Sequence, residues 1–394
     1  MLARIHSAAT LGLEARVLDV EVDVAFGLPR FTIVGLPDAS VREARERVRS
    51  ALKNGGFPLP DGSVTVNLAP ADFRKCGAAL DLPLALGLLW LCGIRPPAAV
   101  SRVFVGELGL GGEVRPVRGA LCLALAARDG GFEEIVLPAA NAAEAAAVAG
   151  VRVIPVEHLS DTVAHVLGSR TIPAARAAIQ APPPRNAPDF ADVRGQAIAR
   201  RAAEIFAAGG HHLLLCGPPG AGKTMLARRL PGILPRLALD EAIEVTKIHS
   251  VAGALAPGTG LLSAPPFRAP HHGISSAGLV GGGARPAPGE ASLAHRGVLF
   301  LDELPEFRRD VLEALRQPLE ERRVSVVRVR GAVDFPCDVL LVGAMNPCPC
   351  GFLGDPRRAC ACDPRERHRY ARKLSGPLLD RIDLHVHVAA VGWK

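Results

Sequence analysis

A glycine-rich octapeptide carries the strongest chemical signal in the chain. Residues 217–224 read GPPGAGKT, a complete GxxxxGK[ST] pattern between the apolar run LLLC and the helical pattern MLARRL. Glycine lets such a loop wrap a phosphate closely, and backbone N–H groups with the following helix N-terminus supply positive potential. Lys223 is expected to contact β and γ phosphates, and Thr224 to ligate Mg²⁺. The residues predicted to bind a nucleotide are Gly217, Pro218, Pro219, Gly220, Ala221, Gly222, Lys223 and Thr224.

A pair of carboxylates follows a second apolar run. Residues 297–303 read GVLFLDE, which predicts a buried strand with an acidic pair at its carboxyl end, where open α/β sheets bind ligands. Asp302 is expected to bind Mg²⁺, and Glu303 to polarise an attacking water molecule. A third apolar run, residues 339–344, leads to Asn346, whose amide is expected to bond the γ-phosphate or the water. An ordinary turn asparagine before proline is the alternative interpretation of Asn346.

Four cysteines form two C-x-C pairs around a short polar segment, GFLGDPRRA. Four thiolates can satisfy tetrahedral Zn²⁺, and a metal would hold in place a loop that is too polar to pack by itself. C-x-C spacing is less diagnostic than C-x-x-C, so reduced thiols and a redox disulfide remain as alternatives. The candidate zinc ligands are Cys348, Cys350, Cys360 and Cys362. The remaining cysteines lie in apolar contexts and are expected to be core residues: Cys76, Cys92, Cys122, Cys216 and Cys337.

Length and composition limit the kind of protein that carries these residues. The chain has 394 residues, more than the roughly 100 to 200 of one ordinary domain, so two or three folded units are expected. With 49% hydrophobic and 22% charged residues, wholesale disorder is excluded. A net charge of +7 permits a polyanionic partner such as nucleic acid without requiring one. The chain shows neither a signal peptide nor an apolar run long enough to span a bilayer, so a cytoplasmic location without a membrane partner is expected.

The first part of the chain has the pattern of mixed α and β structure. Strands are predicted for EARVLDVEVDVAF, FTIVG and SVTVNLAP. A helix between them is expected to begin near Ser40, with Glu43 at capping-box spacing, and to bury a stripe from Val41 to Leu52. Its opposite face is rich in arginine and is expected to be solvated and salt-bridged, with a DNA-facing surface as the alternative.

A proline-rich segment is expected to separate two domains. Residues 171–188, TIPAARAAIQAPPPRNAP, lose hydrophobic periodicity and predict an extended, semi-rigid linker. The expected organisation is therefore a domain at 1–170, the linker at 171–188 and a nucleotide-binding α/β domain at 189–394.

Several motifs of the second domain together resemble a known family. GPPGAGKT, VLFLDE, GAMNP and SGPLLDRID resemble AAA+ ATPases of the magnesium-chelatase-like group. DFADVRGQ, FRAPHHGISSAGLVGGG, NPCPCG and SGPLLDRIDLHV more narrowly resemble the ComM/YifB family of bacterial competence-related proteins. The resemblance implies an α/β AAA+ P-loop NTPase core that binds ATP and Mg²⁺ and hydrolyses ATP.

The resemblance also implies an oligomer. Arg381 of the LLDRID segment would reach the γ-phosphate of a neighbouring subunit, which requires a homo-oligomeric ring. The alternative for Arg381 is a surface pair with Asp380 or Asp383.

Two further segments fit the same group. Residues 250–296 are rich in Gly, Pro and Ala and resemble the insertion that interrupts the second helix of such motors. The segment contains the pair His271-His272, which is expected to be structural or to contact a subunit, with metal binding as the alternative. Residues 322–334 predict a β-hairpin, which in related ring helicases points into the pore. Its Arg323, Arg328 and Arg330 would follow a nucleic-acid backbone, whereas a solvated edge strand is the alternative.

The first domain resembles a different enzyme. GELGLGGEVRPVRGALCLALAARDGGFEEIVLPAAN is similar to the proteolytic domain of Lon-type proteases, which implies an α+β, ribosomal S5 domain 2-like fold. Lon-type enzymes use a Ser nucleophile activated by Lys, and Ala79 and Leu121 stand at the corresponding positions here. Because neither residue can supply a nucleophile or a base, we expect an inactive domain that serves assembly or partner docking.

The leading hypothesis is a ring-forming, ATP-driven motor on single-stranded or branched DNA, of the helicase or branch-migration kind. Alternatives are a chelatase-type ATPase that remodels a protein partner, a nucleotide-binding regulatory module without motor activity, and a Lon-like protease. The sequence stops shortly after LDRIDLHVHV, so the helical lid of such motors is expected to be missing and nucleotide binding and hydrolysis to be weak.

Overall fold

The computed structural model describes residues 2–75, 77–97, 100–177, 188–283, 286–328, 331–355 and 358–389. Backbone contacts divide the chain into two compact units. One unit contains residues 1–180 and 249–261, and the other contains 181–248 and 262–394. The sequence did not predict that residues 249–261 belong with the first unit. Within the predicted linker, residues 171–177 form no helix or strand, and the three consecutive prolines lie outside the described residues.

The first unit is built on a mixed seven-stranded sheet. Its strands are β1 (Leu2–Leu11), β2 (Glu14–Ala25), β3 (Arg30–Val34), β4 (Ser63–Ala69), β5 (Arg102–Phe104), β6 (Glu107–Leu108), β7 (Val114–Arg115), β8 (Glu134–Pro138) and β9 (Arg152–Val156). Its helices are α1 (Ala39–Asn54), α2 (Asp81–Leu91), α3 (Ala120–Asp129), α4 (Ala142–Ala145) and α5 (Leu159–Val166). The sheet order is β3-β4-β2-β1-β5-β8-β9, with β6 and β7 forming a separate pair. The three strands predicted from alternation correspond to β2, β3 and β4.

Helix α1 forms as its periodicity predicts, because the buried residues are the predicted stripe from Val41 to Leu52. Its start was predicted wrongly. The N-cap is Asp38 rather than Ser40, since the extended Asp38 backbone lets its carboxylate accept a hydrogen bond from the Val41 N–H at 2.9 Å. The Ser40 hydroxyl donates to the same carboxylate at 2.7 Å.

A buried ion pair ties α1 to α2. Arg47 donates to both carboxylate oxygens of Asp81 at 2.6 and 3.0 Å, and the Asp81 side chain is 0% exposed. Burial raises the pKa of Asp81 to about 6, against the opposing effect of Arg47. A carboxylate buried this deeply depends on its guanidinium partner, so the pair is expected to be essential to the packing of these helices.

The positions that correspond to the Lon-type Ser and Lys hold apolar side chains. Ala79 lies just before α2, where its carbonyl accepts from the Gly106 N–H at 2.8 Å. Leu121 lies in α3 and is fully buried. The absence of peptidase activity remains a prediction.

The second unit is built on a five-stranded sheet whose neighbouring strands all run parallel. The strands of this unit are β10 (Leu213–Cys216), β11 (Phe267–Arg268), β12 (Gly281–Gly282), β13 (Ala287–Pro288), β14 (Val298–Leu301), β15 (Arg323–Arg328), β16 (Gly331–Pro336), β17 (Leu340–Met345) and β18 (Leu384–His387). The helices are α6 (Ala197–Gly209), α7 (Lys223–Ala227), α8 (Leu239–Ala252), α9 (Ser276–Val280), α10 (Glu290–Leu293), α11 (Arg309–Ala314), α12 (Arg316–Glu321), α13 (Pro364–Ala371) and α14 (Gly376–Leu379). The end of α8, from residue 249 on, belongs to the first unit. The large sheet has the order β11-β14-β17-β10-β18.

The central strands of this sheet are apolar because both faces of a parallel sheet are covered. The residues of β14 are all buried, and β10 and β17 are buried along most of their length. Since parallel strands end at the same edge, the carboxyl ends of β10, β14 and β17 lie side by side. The sheet therefore brings the three predicted motifs to one edge.

The predicted β-hairpin is present as the antiparallel pair β15–β16, in which Arg328 lies opposite Gly331. Arg323 is exposed and pairs with Glu321 at 3.3 Å, whereas the Arg328 side chain and all of Arg330 lie outside the described residues. After α8, the described residues of the Gly-, Pro- and Ala-rich segment form only short elements. None of the described helices is long and apolar enough to cross a membrane.

Candidate nucleotide-binding site

The glycine-rich loop connects β10 to α7 in the way the sequence predicts. Gly220 and Gly222 adopt φ values of +76° and +91°, in the left-handed region that favours glycine. A Cβ on Gly217 would lie 2.2 Å from the carbonyl oxygen of Val388, just beyond β18. The glycines are therefore required both by the turn and by the close approach of a neighbouring backbone.

Lys223 points its ammonium group back over this loop. Its Nζ donates to the carbonyl oxygens of Gly217 and Pro218 at 2.6 and 3.0 Å and to Asn346 Oδ1 at 3.1 Å. Burial lowers the pKa of Lys223 below its ordinary value. Within the described part of the chain no carboxylate lies in salt-bridge distance of this ammonium group. The loop thus holds a cation whose partners are neutral oxygens, which suits an incoming phosphate.

Thr224 and Asp302 meet across the gap between two strands. Thr224 Oγ1 donates to Asp302 Oδ2 at 2.7 Å, and the Glu303 N–H donates to Asp302 Oδ1 at 3.0 Å. A hydroxyl and a carboxylate so placed are the ligand types that Mg²⁺ takes beside phosphates. The structure therefore brings together the two residues predicted to bind the metal.

Glu303 follows Asp302 in an unusual backbone conformation, with a φ of +52°. Such a positive φ is strained for a residue with a side chain, and strain of this kind often accompanies functional sites. The Glu303 carboxylate is 62% exposed and lies 3.7 Å from Nδ1 of His272. It is therefore accessible from the cavity that it lines.

A cavity of about 660 Å³ opens over these residues, within the ordinary size range of small-molecule sites. Its lining includes seven predicted residues: Pro219, Gly220, Lys223, Thr224, Asp302, Glu303 and Asn346. Gly217, Pro218, Ala221 and Gly222 form the loop itself and do not line the cavity. Sequence reasoning missed the rest of the lining, namely Glu306, Ala344, Met345, Pro349, Glu366, Arg369, Tyr370 and Lys373. Most of the polar residues that were missed lie in α13, and Lys373 lies just after that helix. The sequence carries no nucleotide-binding motif in this segment.

Arg381 does not line this cavity. It forms an ion pair with Glu320, and its Nη1 donates to the carbonyl oxygen of Pro377 at 2.6 Å. Its Nε is buried without a hydrogen-bond partner among the described residues. The alternative pairing with Asp380 or Asp383 is therefore not the one observed, and a role toward a neighbouring subunit stays a prediction.

The four cysteines of the C-x-C pairs come together in the segment that we call the cysteine loop, residues 348–362. Cys348 Sγ lies 3.4 Å from Cys350 Sγ and 3.6 Å from Cys360 Sγ, and all four sulfur atoms lie within 4.8 Å of one another. These separations are far longer than a disulfide bond of about 2.05 Å. Tetrahedral zinc with Zn–S bonds of about 2.3 Å would separate its sulfurs by about 3.8 Å. The cluster therefore has the shape of a four-thiolate metal site.

The other cysteines follow the core prediction only in part. Cys122 and Cys337 are buried, and burial raises the pKa of Cys337 to about 12. Cys92 and Cys216 are only partly buried, because they lie at the ends of α2 and β10, and Cys76 lies outside the described residues.

Comparisons with known proteins agree with this arrangement. The family described as "Magnesium chelatase, subunit ChlI" matches residues 189–394, and the family described as "Subunit ChlI of Mg-chelatase" matches residues 20–141. The chain is 43% identical to YifB of Escherichia coli over 395 residues, which cover 98% of this chain and 76% of that protein. It is 43% identical to the competence protein ComM of Haemophilus influenzae over 393 residues, with the same coverage of both chains. An uncharacterized protein of Mycobacterium tuberculosis, Rv2897c, is 47% identical over 389 residues, covering 98% of this chain and 77% of that protein. The chain therefore belongs to the magnesium-chelatase-like family of AAA+ ATPases that includes YifB and ComM.

Proposed function

We propose that this chain binds Mg·ATP in the 660 Å³ cavity and hydrolyses it. The observation that carries the proposal is the convergence of Lys223, Thr224, Asp302 and Glu303 at its floor. Thr224 and Asp302 would hold Mg²⁺, and the bound ion would supply positive charge beside the phosphates. Lys223 exchanges its neutral partners for phosphate oxygens, and Asn346, released from Lys223, orients the γ-phosphate or the water. Glu303 draws a proton from that water as it attacks.

Equilibrium binding of Mg·ATP tests this proposal. Lys223→Ala should weaken binding by at least about 10-fold, since it removes a charge-assisted contact worth roughly 1.5–3 kcal/mol. Lys53→Ala, in the last turn of α1, is the control and should bind as the parent chain does. A parent chain that does not bind Mg·ATP, or a Lys223→Ala chain that binds it equally well, would contradict the assignment.

We further propose that the ATPase acts as a homo-oligomeric ring on DNA. Support comes from the competence name of one relative, the basic net charge of +7, and the β15–β16 hairpin with its arginines. Replacing Arg328 and Arg330 with Ala should weaken DNA binding similarly on unrelated sequences and reduce its salt dependence, because phosphate contacts carry no sequence information. ATP hydrolysis that is indifferent to single-stranded and forked DNA would instead favour the alternative of an ATPase that remodels a protein partner.

For the cysteine loop we propose structural Zn²⁺ with four cysteine ligands. Support comes from the sulfur separations and from the Cys350 N–H, which donates to Cys362 Sγ at 3.3 Å, as backbone amides do around ligating thiolates. Protein purified without chelator should contain one zinc per chain, and a Cys348→Ser, Cys360→Ser variant should contain none. Cys92→Ser, outside the cluster, should keep the metal. Equal metal in all three would rule out the site.

A further inference from the structure

The cysteine loop lies in the chain between two walls of the nucleotide cavity. On its amino-terminal side, Asn346 accepts the hydrogen bond from Lys223 only two residues before Cys348. On its carboxyl-terminal side, α13 begins at Pro364, two residues after Cys362. Both walls are thus covalently continuous with the cluster.

The loop also touches the phosphate-binding loop directly. A Cβ on Gly351 would lie 2.6 Å from Cδ and 2.9 Å from Cγ of Pro219, so the Gly351 backbone already packs against that ring. Pro349 lines the cavity beside them. Any displacement of the cysteine loop would therefore be felt at the phosphate-binding loop.

Helix α13 is fixed at the cluster by its first turn. Asp363 and Glu366 form a capping box, and Arg367 Nε donates to the Cys362 carbonyl oxygen at 3.2 Å. Glu366 itself lines the cavity. Glu366 therefore both caps the helix next to the cluster and faces the cavity.

The far end of α13 closes back on the other wall. Tyr370 is buried, and its hydroxyl lies close to the backbone of Asn346. Lys373, just after the helix, donates to Glu306 at 2.9 Å, and both side chains line the cavity. The segment that runs from Asn346 through the cysteines and along α13 to Tyr370 therefore returns to its starting point and encloses one side of the site.

The cysteine loop has little apolar material of its own. The described residues between the cysteine pairs are mostly exposed or half-buried, and the cysteines Cys348 and Cys362 are its buried side chains. A loop of this kind gains its order from metal binding, whose free energy becomes folding free energy. Without a metal, the described residues of the loop offer few buried apolar side chains that would hold Asn346 and α13 in place.

We infer that metal binding by the four cysteines positions Asn346, Pro219 and α13 for nucleotide, so that Zn²⁺ and Mg·ADP or Mg·ATP strengthen each other's binding. The inference rests on the proposed nucleotide and zinc sites. Because coupling between two ligands is reciprocal, zinc must raise nucleotide affinity by the same factor by which nucleotide raises zinc affinity. A factor of about 5 to 150 is usual for such coupling.

The test uses the full chain with Mg·ADP as the probe, so that hydrolysis plays no part. Calorimetry should show that zinc-stripped protein binds Mg·ADP at least about 5-fold more weakly than zinc-loaded protein. In the reciprocal measurement, saturating Mg·ADP should raise the zinc affinity, determined by competition with a chelator, by the same factor. Equal Mg·ADP affinity with and without zinc would refute the coupling alone. Zinc-loaded protein that does not bind Mg·ADP would refute the proposed nucleotide site and the coupling with it.

A matched pair of variants gives the same answer with all four cysteines retained. Gly351 and Gly354 have φ values of +82° and +78°, so alanine strains the backbone equally at both positions. Only at Gly351 would the added Cβ press on Pro219, since no atom lies within 4 Å of the corresponding position at Gly354. With full zinc in both, Gly351→Ala should weaken Mg·ADP binding relative to Gly354→Ala. Equal affinities would overturn the inference.

Discussion

Replacing Glu303 with Gln separates nucleotide binding from hydrolysis. The substitution keeps the shape of a side chain that is 62% exposed and removes only its charge, which faces His272 at 3.7 Å. The contact to Asp302 comes from the Glu303 backbone N–H and persists in the variant. General-base catalysis contributes about 10²- to 10⁴-fold, so the barrier should rise by about 2.7 to 5.5 kcal/mol. Affinity for Mg·ADP should change by less than about two-fold, because the residues that hold phosphate and metal are untouched.

Single-turnover hydrolysis of Mg·ATP, with enzyme in excess, measures the chemical step directly. Glu306→Gln is the matched control, because Glu306 lines the same cavity but pairs with Lys373 at 2.9 Å. The control should retain hydrolysis within about three-fold of the parent chain, since its carboxylate is already engaged. If Glu303→Gln also stays within about three-fold, or loses affinity as much as rate, Glu303 does not polarise the water.

Three further outcomes are expected. Arg47→Ala should lower the free energy of unfolding by about 3 kcal/mol or more, because it leaves Asp81 buried without its cation. The control Arg49→Ala, at an exposed position, should change it by less than about 0.5 kcal/mol. Equal effects of the two variants in denaturant titrations would contradict this. Burial lowers the pKa of His212 in the folded chain. Below about pH 6.5 the unfolded chain therefore binds more protons than the folded chain, and the free energy of unfolding should decrease as the pH is lowered, by up to about 1.4 kcal/mol per pH unit. His212→Gln should remove that part of the pH dependence, and an unchanged pH profile would count against it. Asp302→Asn should raise the Mg²⁺ concentration needed for ATP binding by about 10- to 100-fold, checked by magnesium titration, while unchanged magnesium dependence would exclude Asp302 as a metal ligand.

The sequence predicts the floor of the site because local chemistry and sheet geometry agree there. Each of Thr224, Asp302 and Asn346 follows directly on a short apolar strand or its loop, and parallel strands must end at one edge. The buried stripe of α1 follows equally from periodicity, since burial on one face repeats every 3.6 residues or so.

The remaining wall depends on contacts that periodicity does not report. Glu366, Arg369 and Tyr370 line the cavity from α13, which follows the cysteine loop in the chain. Arg381 contacts Glu320, a residue distant in the sequence. The Asp38 cap depends on a carboxylate in extended backbone, which outcompetes the nearby serine that the capping-box pattern favours. Sequence patterns indicate which face of a helix or strand is buried, but they do not indicate which other residues that face contacts in the folded chain.

The return of residues 249–261 to the first unit makes the two units interleaved rather than consecutive along the polypeptide. The Gly119 N–H donates to the Ser250 carbonyl oxygen at 3.1 Å, and the Gly258 N–H donates to that of Ala140 at 3.2 Å. A fragment cut near residue 180 would leave the Gly119 amide and the Ala140 carbonyl without these partners, and its complement would carry an orphaned segment. A single cut near residue 180 therefore does not separate the two units, because it parts residues 1–180 from residues 249–261, which fold with them.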